Sequence, residues 1–161
     1  MSTVIIGFSS PKSWKLGAEF IKLWQGGTKF SHVYMRVYSN YTEQWLVYQA
    51  SHGFVNCLTY ANFSSGNKIC KEFSVDIEPE KLKNTIKIAQ QLLGRPYGYL
   101  GLIKLGLRRF GIKWAGDDMH SFHCSELIAT LFPEFIANMD SDYVEPVHLF
   151  NVLQSMEGKP K

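Results

Sequence analysis

The sequence predicts an α+β domain in which a central antiparallel sheet packs against helices. Three observations carry this. Residues 31–38 and 44–50 alternate apolar and polar side chains and are joined by Ser39-Asn40-Tyr41-Thr42, so they read as a β-hairpin. Two more strand-like runs follow, near 54–60 and 68–75. Helical segments stand before and after these strands, so the order is α and β mixed with antiparallel strands in the middle.

Taken in order, residues 3–8 form a short strand that Ser9, Ser10 and Pro11 are expected to break. Residues 11–25 read as a helix, with Pro11 in its first turn and Trp14, Ala18, Ile21 and Trp24 on one stripe. Gly26-Gly27 end it. The segment 62–67 (Asn-Phe-Ser-Ser-Gly-Asn) reads as a loop between the third and fourth of the later strands. Glu78-Pro79-Glu80 opens a helix to about residue 93, with Ile86, Ala89, Leu92 and Leu93 inward and Gly94 just past its end. A further helix is expected over about 99–109, then a polar loop over 111–120. An apolar helix follows from Cys124, with Ser121 as its N-cap and Pro133 as its stop; Pro146 starts a last one.

The chain has 161 residues, 45% apolar and 19% charged, which fits one globular domain over 1–161. The formal charge of +3 is too small to argue for nucleic acid. Lys104, Arg108, Arg109 and Lys113, beside Leu105, Leu107 and Phe110, read as a solvated helix face, with a membrane-surface or anionic-substrate contact as the alternative. Residues 1–7 lack the basic start and long apolar run of a signal peptide, and no segment has transmembrane length. The expectation is therefore a cytoplasmic protein without stable membrane insertion. Three cysteines without framework spacing are expected as free thiols, Cys57 and Cys70 as packing residues in strands.

Cys124 is the residue that suggests chemistry. A thiol in the first turn of a helix feels the positive end of the macrodipole and unpaired backbone N–H groups, and both favour thiolate, the nucleophilic form. The competing reading is a small buried apolar residue. A thiolate nucleophile needs a base, and the base an orienting partner. Of the five histidines, His123 is a poor base for its own neighbour, His120 and His148 fit surface or packing roles, and His52 fits a turn. His32 opens a strand in which Val33, Met35 and Val37 form one face and His32, Tyr34 and Arg36 the other. A two-residue turn at Asn40-Tyr41 would put Gln49 directly across from His32, with Cβ atoms about 5 Å apart. Its amide oxygen could then accept from the imidazole. A structural His at a strand start is the competing reading.

These residues resemble the circularly permuted branch of the NlpC/P60 papain-like superfamily, the YiiX/YaeF-type amidases and peptidases. The matching segments are Ser31-His32-Val33, Val47-Tyr48-Gln49-Ala50-Ser51, Gly94-Arg95-Pro96-Tyr97, Cys124-Ser125-Glu126-Leu127 and the late Pro146. The likeness runs from about residue 4 to 153, and its specificity lies in the order and spacing of motifs that are individually weak. It implies a permuted papain-like fold with Cys124 as nucleophile, His32 as general base, Gln49 as orienting residue and the Cys124 backbone N–H as oxyanion donor. The second-strand residue is often Glu in that family. Gln49 can orient an imidazole but cannot balance imidazolium charge.

The resemblance implies a cysteine hydrolase cleaving an amide or isopeptide bond through a Cys124 acyl-enzyme, with peptide-like substrates, peptidoglycan stem peptides first among them, and no cofactor. Two alternatives use the same fold: a lipid (thio)esterase or acyltransferase, and a non-catalytic binding protein. A metal site at His120-x-x-His123-Cys124 is disfavoured, because no second ligand pair stands at structural-zinc spacing.

Overall fold

The structure, a computed structural model, describes residues 1–13, 15–51, 53–98, 111, 122–136 and 144–157. The helix expected over 99–109, most of the loop after it, the basic patch at Lys104, Arg108, Arg109 and Lys113, and Trp14, His52, His120 and Ser121 lie outside these residues.

The strands are β1 (Ser2–Pro11), β2 (His32–Ser39), β3 (Gln44–Ser51), β4 (Phe54–Thr59) and β5 (Asn67–Ile77). They pair antiparallel throughout, in the spatial order β4-β3-β2-β1-β5. The described helices are α1 (Leu16–Trp24), α2 (Tyr60–Gly66), α3 (Pro79–Gln91), α4 (Cys124–Leu131) and α5 (Pro146–Glu157), with a 3-10 turn at Pro133–Phe135. The α+β class and the central antiparallel sheet are as the sequence predicts. Among the described residues no helix is long and apolar enough to cross a membrane.

Alternation along each strand splits the sheet into two faces. Val4, Ile6 and Phe8 of β1, Val33, Met35 and Val37 of β2, and Tyr48 and Ala50 of β3 face α3, α4 and α5 and build the main core with Ala89, Leu127, Ile128, Leu149 and Leu153. Phe8 anchors an aromatic cluster there, with ring centroids 5.0 Å from Phe30, 5.8 Å from Phe73 and 5.2 Å from Phe150. On the opposite face Tyr34 and Val47 pack under Phe63 of α2.

Five sequence expectations are corrected. Ser9-Ser10-Pro11 do not break β1, and α1 starts at Leu16 rather than Pro11. β5 pairs along all of β1, from Ser2↔Ile77 to Pro11↔Asn67, with a register shift between Phe8 and Ser9. β2 pairs with β1 only as far as Ser9, so the missing N–H of Pro11 removes no bond on that side. The segment 62–67 is not a loop. Thr59 caps α2 by accepting from the Asn62 N–H at 3.3 Å, and burial of Phe63 against Tyr34, with centroids 4.4 Å apart, outweighs the weak helix propensity of Asn, Ser and Gly. The β2–β3 connection holds four residues, because Ser39 pairs with Gln44, and Glu43 takes a positive φ of 53°. Finally, Leu93 is exposed because α3 ends at Gln91, and the inner position goes to Thr85.

Candidate active site

His32 and Gln49 meet. The imidazole Nε2 lies 2.7 Å from Gln49 Oε1. Yet they are not directly opposed: the ladder pairs Met35 with Tyr48, two positions away from the expected register. A shift of two keeps every side chain on its own face, so the pair survives as a diagonal contact within reach of long side chains. Gln49 is buried and His32 half-buried, and the His32 ring packs 6.2 Å from Phe63.

A third side chain, missed in the sequence reading, fixes the orientation of this pair. Asn56 stands directly across from Gln49 on β4. Its Nδ2 donates to the Ser51 carbonyl at 3.1 Å and the Phe54 carbonyl at 3.3 Å, so its Oδ1 must be the end that faces Gln49. Gln49 Nε2 donates to that oxygen at 3.1 Å. Gln49 Oε1 is thereby turned to His32, and because an amide oxygen can only accept, the ring nitrogen facing it must carry the hydrogen. The neutral imidazole is thus the Nε2–H tautomer, with its lone pair on Nδ1. The signal was legible: the Ser51↔Phe54 pair closes β3 and β4 over two intervening positions, one of them Gly53 at φ 96°, which sets 49 across from 56.

Cys124 is the first residue of α4. The N-cap is His123, not Ser121. His123 Nδ1 accepts from the Glu126 N–H at 3.2 Å, and the Glu126 carboxylate accepts from the His123 N–H at 3.2 Å. This is a capping box with His in the Ser/Thr position. The Leu127 N–H bonds the His123 carbonyl, so the amides of Cys124 and Ser125 remain beyond the helix ladder. Both lie within hydrogen-bond reach of the Cys124 sulfur, as does the backbone N–H of Val33, the residue after His32.

Those three amides favour the thiolate, as the helix-start argument expects, but they do not win. Cys124 is 2% exposed, and burial pushes its thiol up to about 11. The expected thiolate is corrected to a protonated thiol at neutral pH. Cys124 belongs to the core on the α4 side of the sheet, whereas His32 shares its face with Gln49 and Phe63. The Val33 amide, next in the chain after His32, is one of the backbone groups that lower the thiol pKa.

A cleft of about 280 Å³ opens at this end of the sheet. Its described lining includes His32, Ser31, Ser51 and Tyr97, with Gly17, Ala18 and Ile21 of α1 as one wall. The segment Gly94-Arg95-Pro96-Tyr97 runs beside the start of β4. The Gly94 N–H bonds the Val55 carbonyl at 2.9 Å and the Tyr97 N–H the Gly53 carbonyl at 2.8 Å, which docks the segment on β4. The Phe122 N–H bonds the Pro96 carbonyl at 2.9 Å, which delivers the chain to α4.

Cys57 and Cys70 sit half-buried in β4 and β5 against the core. His148 Nδ1 accepts from the Glu145 N–H at 3.1 Å, a cap at the start of α5. Among the described residues no three His, Cys, Asp or Glu side chains cluster as a metal site requires. No family model matches this sequence, and no curated protein matches it.

Proposed function

We propose that this protein is a cysteine hydrolase on a permuted papain-like fold, cleaving an amide or isopeptide bond of a peptide-like substrate. The observation that carries this is the His32–Gln49 pair at 2.7 Å, at the strand end where the Val33 amide reaches the Cys124 sulfur. Gln49 holds the imidazole by Nε2, so Nδ1 is the nitrogen with a lone pair to give.

A protonated resting thiol dictates the order of events. His32 Nδ1 takes the Cys124 proton as the sulfur–carbon bond forms, and the carbonyl electrons move onto oxygen. The Cys124 backbone N–H stabilises that oxyanion. The tetrahedral centre collapses, the carbon–nitrogen bond breaks, and the departing amine takes the proton from His32. Water, deprotonated by the same nitrogen, then attacks the thioester carbonyl; the carbon–sulfur bond breaks, the carboxylic acid leaves and His32 returns its proton to the sulfur. Gln49 cannot neutralise an imidazolium, which favours this concerted transfer over a standing thiolate–imidazolium pair. Peptidoglycan-derived peptides are the first substrates to try, on the strength of the resemblance alone.

A second reading, a binding protein without turnover, is favoured by the burial of Cys124 and its place on the α4 face. Iodoacetamide separates the two. In a hydrolase His32 assists removal of the Cys124 proton, so His32→Ala slows alkylation of Cys124 at neutral pH, and Cys124→Ala abolishes release of amine from peptide substrates. If His32→Ala leaves the alkylation rate of Cys124 unchanged and Cys124→Ala leaves amine release unchanged, the hydrolase reading fails.

A further inference from the structure

We propose that the outer face of α1 docks the protein onto an anionic lipid bilayer. Leu16, Phe20 and Leu23 recur at i, i+4 and i+7, which aligns them on one side of the helix. They are 69%, 55% and 74% exposed, so the ridge faces outward. Singly exposed apolar residues are ordinary, but three large ones in one row form a patch that marks an interaction surface. The other side of the same helix, at Gly17, Ala18 and Ile21, walls the cleft beside His32.

Charge selects the occupant. Residues 12–29 carry four lysines (Lys12, Lys15, Lys22, Lys29) against one glutamate, a local net of +3 that equals the formal charge of the entire chain. The single acid, Glu19, is already paired with Lys22 at 2.7 Å. Lys12 and Lys29 are exposed, one before α1 and one after it. A leucine and phenylalanine ridge with lysines at both ends matches the interface of an anionic bilayer, where apolar side chains enter the acyl boundary and lysines meet the headgroups. A second copy docking by two-fold symmetry would set the same lysines against each other. At nine residues the helix lies in the interface and does not span it. This surface stands independently of the hydrolase reading, and Cys124→Ala protein should bind as the wild type does.

Flotation of the full chain with two vesicle preparations tests it, one of phosphatidylcholine alone and one with about three parts in ten phosphatidylglycerol. Partition onto the anionic vesicles should be about tenfold stronger and should fall as salt is raised. Leu16→Ser with Leu23→Ser should lower it about tenfold without changing the melting temperature, both side chains being exposed. Lys12→Glu with Lys29→Glu should erase the preference for anionic lipid. Equal binding to both preparations, no binding to either, or variants that bind like wild type would overturn the proposal. So would a solution dimer that the Leu16→Ser and Leu23→Ser changes dissolve, since the ridge would then serve self-association.

Discussion

Gln49 donates its amide N–H to Asn56 Oδ1 across the β3–β4 pair at 3.1 Å, and this one bond determines which end of Gln49 faces His32. Without it the Gln49 amide is free to rotate and offer its NH₂ to the imidazole, which would reverse the tautomer. Asn56→Ala should therefore leave the fold intact but mix the two neutral tautomers of His32. Ring-nitrogen chemical shifts read this directly: wild type should show Nε2–H alone. Substrate turnover should fall about tenfold or more with little change in KM, since the effect acts on a general base. A wild-type His32 protonated on Nδ1 would contradict the network and remove the base from the proposed mechanism.

The raised pKa of Cys124 makes a prediction in the alkaline range. An ordinary thiol ionises near 9 and this one near 11, so the folded state holds its proton more tightly than the unfolded chain. The group's stabilisation is present in full below pH 9 and is lost as pH rises through 11. Two units correspond to about 2–3 kcal/mol at most. Denaturant melts from pH 8 to about 10.5 should show that loss in wild type and a shallower one in Cys124→Ser. Cys57 and Cys70, whose thiols burial also pushes up, contribute residual slope in both proteins. Identical pH profiles for the two proteins would show that the Cys124 thiol is not perturbed by folding.

The hairpin shows why the candidate site was legible while its register was not. Which face a strand residue occupies depends on parity alone, and Val33, Met35 and Val37 fixed parity from the sequence. The turn length did not affect that parity: a four-residue connection in place of two moved Gln49 by two positions, and its contact with His32 persisted. Three local preferences misled. Ser9, Ser10 and Pro11 read as a break, but β5 supplies a partner along the whole strand. Asn62 to Asn67 read as a loop, but Phe63 had a tertiary site to fill. The first turn of α4 promised a thiolate, but burial of the sulfur is a property of the packed fold that a linear sequence does not display.

His123 lies next to Cys124, and its role can be separated from that of His32. It is 1% exposed, and its Nδ1 is occupied by the Glu126 N–H. It should therefore act on stability and not on the thiol's reactivity. His123→Asn keeps an acceptor at the N-cap and should retain most of the stability; His123→Ala loses the cap and leaves a cavity, at a cost of about 2–3 kcal/mol. Neither should slow alkylation of Cys124 in protein that remains folded, whereas His32→Ala should. A His123→Asn protein of normal stability with an unreactive Cys124 would move the base assignment from His32 to His123.

Gly7 and Tyr34 oppose each other across β1 and β2, and the absence of a side chain at position 7 is what lets the tyrosine lie flat over the sheet. A Cβ at Gly7 would fall 2.1 Å from the ring and 2.3 Å from the hydroxyl oxygen, far inside contact distance. The ring cannot swing aside cheaply. It is completely buried, its hydroxyl donates to Glu72 at 2.7 Å, and Glu72 in turn pairs with Arg36 at 3.2 Å. Gly7→Ala should then destabilise by about 2–3 kcal/mol despite alanine's easy backbone, through overpacking and loss of that bond. The mechanism fixes the outcome of a double-mutant cycle. Tyr34→Leu removes both the obstructing ring atoms and the hydroxyl, so adding Gly7→Ala to it should cost far less than Gly7→Ala alone. Additive losses in urea melts would mean that the clash relaxes through the backbone, and that Tyr34 is not what keeps position 7 bare.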